Sequence, residues 1–194
     1  MEYISKHLKE TEEIVKLISI HKIKEMIDLI LKVKEEKGRM FFLGVGGSAA
    51  NASHAVNDFR KLAGIESYSP TDNVAEVTAR TNDEGWESVF AAWLKGSNLN
   101  QKDCLFVLSV GGGNLEKKVS VNICNAIDYA REKGSKIISI VGREGGHAQL
   151  FSDVSLLIPI VNADSITPHS ESFQAIIWHL LVSHPLLKQN STKW

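Results

Sequence analysis

MFFLGVGGSAANASHAVNDF, residues 40–59, decides the fold: an unbroken apolar run passes through a glycine turn directly into a segment of helical pattern. A run with no polar alternation suits a strand covered on both faces, the habit of parallel sheets. Three more short runs of this kind follow at residues 104–110, 136–141 and 154–160, with a weaker extended piece at 65–68. Helical patterns lie between them, such as 115–132 and 170–187. Strands alternating with helices predict an α/β doubly wound sandwich of three layers with right-handed crossovers. Ahead of the first strand, Ile4, Leu8, Ile14, Val15 and Ile18, then Ile23, Met26, Ile27, Ile30 and Val33, recur at helical spacing. They predict a pair of helices over 2–37, bending near 19–21 and stopping before Gly38. Such a stripe needs burial, against the domain or a neighbouring subunit. No linker or repeat interrupts the chain, so a single domain over 1–194 is expected, with 188–194 a polar tail of no assigned role.

The 194 residues are 43% hydrophobic and 23% charged, the profile of a soluble globular chain rather than a disordered one. With 22 basic and 23 acidic residues, no global field favours nucleic acid or a membrane surface as partner. Cys104 and Cys124 form no C-x-x-C pair and read as buried free thiols. The N-terminus lacks an apolar h-region and no stretch is long enough to span a bilayer, so a cytoplasmic protein is expected.

In sheets of this class ligands sit beyond the carboxyl ends of the strands. The loop G-V-G-G-S at 44–48 lets backbone approach an anion, and the following helix start offers free N–H groups. Gly46, Gly47 and Ser48 are its candidate anion contacts. The loop S-V-G-G-G-N at 109–114 repeats the arrangement, with Ser109, Gly111, Gly112, Gly113 and Asn114 as candidates. Neither loop has the dinucleotide glycine spacing or a Walker lysine, so no nucleotide cofactor is expected and a small phosphorylated ligand is favoured. A third loop, G-R-E-G-G-H at 142–147, carries Arg143, which reads as a surface arginine. Asn73 is a candidate N-cap for a helix over 74–80, and its loop, with Asn82 and Asp83, could also reach sugar hydroxyls.

His54 and Asp58 stand four apart on the helix after the first loop, and Glu171 and His179 eight apart near the C-terminus. Two helices each offering an imidazole and a carboxylate could ligate a divalent metal such as Zn²⁺ or supply a base and an acid. On spacing alone, His54 with Asp58 reads as readily as a helix-surface pair, and His179 as a core histidine.

Taken in order, these segments resemble the phosphoheptose isomerases of the SIS (sugar isomerase) fold. The resemblance covers G-x-G-G-S with His54 and Asp58, N-D-x-G-aromatic at 82–86, the Ser–Gly–Asn loop at 109–114, and T-P-H-S-E-S-F-Q-A-I-I-W-H at 167–179. It implies a five-stranded parallel sheet and a homotetramer with shared active sites. The implied reaction interconverts sedoheptulose 7-phosphate and D-glycero-D-manno-heptose 7-phosphate, a step toward bacterial surface heptose. By resemblance Asp58 falls on the family's glutamate base and His179 on its histidine acid, while His54, Asp58, Glu171 and His179 fall on positions that hold zinc in some members. The chain departs from the pattern at Val45 for asparagine, Asp58 for glutamate, Asn73 for aspartate, Glu171 for glutamine, and in the hydroxyl-poor second loop. Other SIS relatives are non-catalytic, binding a replication initiator or sensing sugar phosphates. That alternative reading stands beside an isomerase for a different ketose phosphate.

Overall fold

The structure, a computed structural model, describes residues 1–191. Five parallel strands form one sheet: β1 Met40–Leu43, β2 Ser67–Tyr68, β3 Cys104–Ser109, β4 Lys136–Val141 and β5 Val154–Leu157, in the order β2-β1-β3-β4-β5. The helices are α1 Glu2–Leu17, α2 Ile20–Glu35, α3 Gly47–Lys61, α4 Val74–Glu84, α5 Val89–Gly96, α6 Val121–Glu132, α7 Gly146–Phe151 and α8 Ile166–Ser183.

The continuous apolar strands bury both faces, as side chains alternate across each strand. Met40, Phe42, Phe106, Ile138 and Leu156 pack with residues of α1, α2, α3 and α8, including Ile14, Ile30, Phe59 and Trp178. Phe41, Leu43, Leu105, Val107 and Val141 face the opposite layer, where Phe90, Ile127 and Ala148 come from α5, α6 and α7. Phe42 lies 5.0 Å from both Phe59 and Phe106, ring centre to ring centre. The Phe42→Ala truncation would cost about 3–5 kcal/mol.

The helical pair breaks where expected, and Ser19 caps α2 by accepting a hydrogen bond from the Lys22 amide. Its stripe is divided: Ile14, Ile23, Met26, Ile27, Ile30 and Val33 are buried, whereas Ile4, Leu8 and Val15 face outward.

Several ends differ from expectation. The last strand stops at Leu157: Ile158 still donates its amide to Val141, but Pro159 has no N–H to continue the ladder. The helix expected over 115–132 begins at Val121, because Asn114 accepts a hydrogen bond from the Lys117 amide and pairs with Val119, folding 114–119 into a tight loop. The last helix runs from Ile166 to Ser183 rather than over 170–187, ending two residues before Pro185. The expected polar tail is in part docked: Gln189 and Asn190 donate their amides to the Leu62 carbonyl, while residues 192–194 lie outside the described ones. Both cysteines are free and buried, and burial pushes both thiols up from their ordinary values.

The strand order reverses between β1 and β3. The crevice beyond that switch point is where sheets of this class take ligands, and the first two glycine loops border it.

Candidate functional site

Two helices lie side by side across the sheet and point the same way. Gly47 at the start of α3 meets Glu171 of α8, and Asn51 donates its side-chain amide to the Glu171 carbonyl at 2.9 Å and to the Gln174 Oε1 at 3.2 Å. Further along, the His54 ring packs edge-on against Trp178, with centroids 4.7 Å apart. Core residues fix this register: Ala52, Ala55 and Phe59 from α3, and Phe173, Ile177 and Trp178 from α8, are all buried.

The register brings three of the predicted residues together. Donor atoms of His54, Asp58 and His179 all lie within 4.8 Å of one another. Asp58 is 5% exposed, and its Oδ2 stands 3.9 Å from the Nε2 of His54 and 3.9 Å from the Nε2 of His179. The imidazole rings meet at 87°, with about half of each side chain open to solvent. Asn57 donates its amide to the other Asp58 oxygen at 2.8 Å. The Nδ1 of His179 lies 2.8 Å from the Ala175 carbonyl, which can only accept, so Nδ1 carries the proton. In the neutral ring that leaves a lone pair on Nε2, directed at the cluster.

Glu171, implied as a fourth metal ligand, lies outside this group of three within the chain. Eight residues of helix rise about 12 Å, so Glu171 stands over the start of α3 while His179 stands over His54 and Asp58. A Cβ added to Gly47 would come within 2.5 Å of the Glu171 carboxylate. That carboxylate therefore rests at the positive end of the α3 dipole.

The first loop turns sharply ahead of α3. Gly46 adopts φ +63° with open space where a side chain would begin, and Ser48 is buried behind it. In the second loop the Ser109 hydroxyl accepts a hydrogen bond from the Gly112 amide at 3.0 Å. The carbonyls of Gly112 and Gly113 accept from the Ala148 and His147 amides, so this loop is tied to the third one and to the start of α7. Gly111 lies at the Arg143 side chain, whose Cδ would be 3.9 Å from an added Cβ. Asn114 is committed to its turn.

Asn73 caps α4, accepting from the Glu76 amide at 3.2 Å, and α4 runs on to Glu84 rather than stopping at residue 80. Ser53 of α3 donates to Asp72 at 2.5 Å, holding this segment beside His54. Asn82 and Asp83 stand on the exposed last turn of α4, hydrogen-bonded to each other, some 14 Å of helix from Asn73. No hydrogen bond among the described residues ties them to the cluster.

One grouping escaped the sequence reading. His7 and Glu10 of α1 meet His169 of α8, again with donor atoms within 4.8 Å of one another. His169 Nε2 and Glu10 Oε2 are 2.9 Å apart, both residues are buried, and the hydrogen bond from His169 holds the Glu10 carboxyl below its ordinary value. The only local signal was His7 and Glu10 three apart on one helix face; their partner lies 159 residues beyond Glu10.

Comparison with known proteins places this geometry. The SIS domain family matches residues 2–142. The phosphoheptose isomerase of Sulfurimonas denitrificans is 31% identical over 189 residues, covering 92% of this chain and 91% of that one. That of a Nitratiruptor species is 30% identical over 193 residues, covering 94% and 96%. In structure, the chain is similar to phosphoheptose isomerase from Neisseria gonorrhoeae, with TM-score 0.81 at 23% identity over 93% of this chain and 95% of the other. The five-stranded parallel sheet and the helical pair before it agree with these relatives: the chain belongs to the SIS domain family, in its phosphoheptose isomerase branch.

Proposed function

We propose that this chain is an aldose–ketose isomerase acting on a sugar phosphate, sedoheptulose 7-phosphate first among candidates, giving D-glycero-D-manno-heptose 7-phosphate through an enediol. The reading is supported above all by one observation: a buried carboxylate, Asp58, with an imidazole nitrogen 3.9 Å away on either side. Asp58 takes the proton from one of the two reacting carbons and returns it to the other. His179 moves protons at the carbonyl and hydroxyl oxygens through Nε2, since the Ala175 carbonyl occupies Nδ1. The glycine loops at 44–48 and 109–114 take the phosphate, using backbone N–H groups with Ser48 and Ser109 in place of a fuller set of hydroxyls.

The donor set also fits a divalent ion, zinc above others. Two imidazoles and one carboxylate make a three-ligand set of the kind that leaves a position open to substrate, and the fixed proton on His179 Nδ1 frees Nε2 for ligation. Such an ion, when bound at His54, Asp58 and His179, polarises the substrate oxygens and stabilises negative charge on them. Ligation and proton transfer compete for the same His179 nitrogen. Removing metal therefore separates them: a metal-dependent enzyme loses turnover with chelator, while an acid–base enzyme keeps it.

The outward Ile4, Leu8 and Val15 of α1 and Ile176 and Leu180 of α8 favour a homo-oligomer, a tetramer by family likeness, in the cytoplasm of a cell that builds surface heptose. No helix among the described residues is long and apolar enough to cross a membrane. Incubating the purified protein with sedoheptulose 7-phosphate, with and without chelator, and following the sugar by NMR tests the proposal. No conversion under either condition would refute it and favour a non-catalytic sugar phosphate-binding module.

A further inference from the structure

The second cluster has no part in the proposed reaction, yet it carries the chemistry of a metal site. We propose that His7, Glu10 and His169 bind a zinc ion, with water as its fourth ligand, that pins α1 to the first turn of α8.

The donors are two imidazoles and a carboxylate, a set that zinc accepts readily. His7 and Glu10 lie on one face of α1, and His169 comes from a distant part of the chain, so the ion would close a long loop. Glu10 is 8% and His169 4% exposed. A carboxylate so placed needs compensation, and here it receives one imidazole contact, the Asn162 amide at 2.7 Å, the Ser165 hydroxyl, and the exposed Lys6 ammonium no nearer than 3.9 Å.

A second observation points to a missing partner. The Nδ1 of His7 is shut off from solvent and has no hydrogen-bond partner. Its ring is stacked on His169, centroids 4.4 Å apart at 18°, and the Tyr3 ring stacks on it at 6.1 Å. A buried ring nitrogen left unpaired is destabilising, and a coordinate bond in this cluster would remove that cost.

The Glu10–His169 pair is already near the spacing an ion requires, while the His7 ring, 18° from parallel with His169, would turn so that its lone pair converges on the same point. Zinc bonds of about 2.0–2.2 Å at a tetrahedral angle set donors about 3.3 Å apart. The His169–Glu10 pair, now at 2.9 Å, would open by a few tenths of an ångström as the ion replaces the shared proton. Asn162, held by Ser165 at 3.2 Å, already orients the Glu10 oxygen that the ion does not need.

The test is a count of zinc on the full chain, stripped with chelator and dialysed against micromolar Zn²⁺, with thermal unfolding measured in zinc and in chelator. His7→Phe keeps an aromatic ring in the stack but has no nitrogen; His169→Gln keeps an amide donor for Glu10. Either variant should bind one zinc fewer per chain than wild type, and should lose the zinc-dependent rise in Tm. Loss of an outer partner alone weakens metal binding 10–100-fold, so loss of a ligand should exceed about 100-fold. Because the reading is a difference from wild type, it is independent of any ion at His54, Asp58 and His179. Zinc content equal to wild type in either folded variant would overturn the proposal. So would a wild-type Tm that zinc does not raise.

Discussion

Replacing Asp58 by asparagine separates catalysis from stability more cleanly than any other change in this chain. The amide has the shape of the carboxylate, so packing of α3 against the sheet is preserved. The Oδ2 atom that faces His54 and His179 is 3.9 Å from each, too far for a hydrogen bond, and only Asn57 at 2.8 Å makes a strong contact. Removing this charge therefore forfeits little stabilising interaction and relieves a buried carboxylate of desolvation. We expect Tm no lower than wild type, and up to a few degrees higher, at about 2–4 °C per kcal/mol for a chain of this length. Turnover should fall by about 10²–10⁴-fold, the ordinary contribution of a general base. Sugar conversion followed by NMR and unfolding followed by calorimetry give the two readings. Full activity in Asp58→Asn would refute its role as base. A large fall in Tm would refute the view that the residue is kept for chemistry rather than for folding.

Glu171→Gln removes the carboxylate that lies over Gly47 and should lower KM for a sugar phosphate by about tenfold, or 1.4 kcal/mol, with kcat nearly unchanged; steady-state kinetics read the split. Gly112→Ala should lower Tm sharply, because a Cβ there runs into the Gly145 carbonyl at φ +70°, whereas Gly46→Ala meets open space and should cost only the backbone strain of about 1–3 kcal/mol. Calorimetry of the two variants side by side checks the contrast. Arg39→Ala removes the cation that the buried Asp103 carboxylate holds at 2.7 Å but leaves it the residue-39 amide and the Asn100 donors, and should cost about 1.5–3 kcal/mol, seen in urea unfolding as a lower midpoint.

What could be read from the sequence was what local patterns control. The apolar runs marked the four longer strands because burial on both faces removes polar alternation, and the glycines after β1 and β3 marked the turns at which the sheet presents ligands. The ends were harder to read because they are set by single groups: the missing N–H of Pro159, the Asn114 side chain that closes a turn before α6, and Pro185 after α8. At the site, four-residue spacing put His54 beside Asp58, but only the packing of α3 on α8 brings His179 to them. At Glu171 the spacing gave the shared face but not the height, since eight residues set it about 12 Å along the helix from His179. The His7–Glu10–His169 grouping was illegible, since neither Glu10 nor His169 carries a local signal of its distant partner.

The parallel register of α3 and α8 explains why these features belong together. The first turns of α8 touch the loops: Ser170 fills the space beside Gly142 and Val110, and Glu171 rests on Gly47. Two turns later the same helix presents His179 to Asp58. A rigid helix cannot move one end alone, so a shift that reopens the first loop also changes the 3.9 Å separation at the cluster. If Asp58 is the base, that coupling would be severe, because a displacement of about 1 Å can cost on the order of 10²-fold in rate. Glu10 grips α8 at His169, two residues before Glu171 and less than a turn from the loops. Whatever tightens that grip moves the glycine loop and the Asp58–His179 pair together, so under the proposed function an anchor far from these side chains would bear on catalysis.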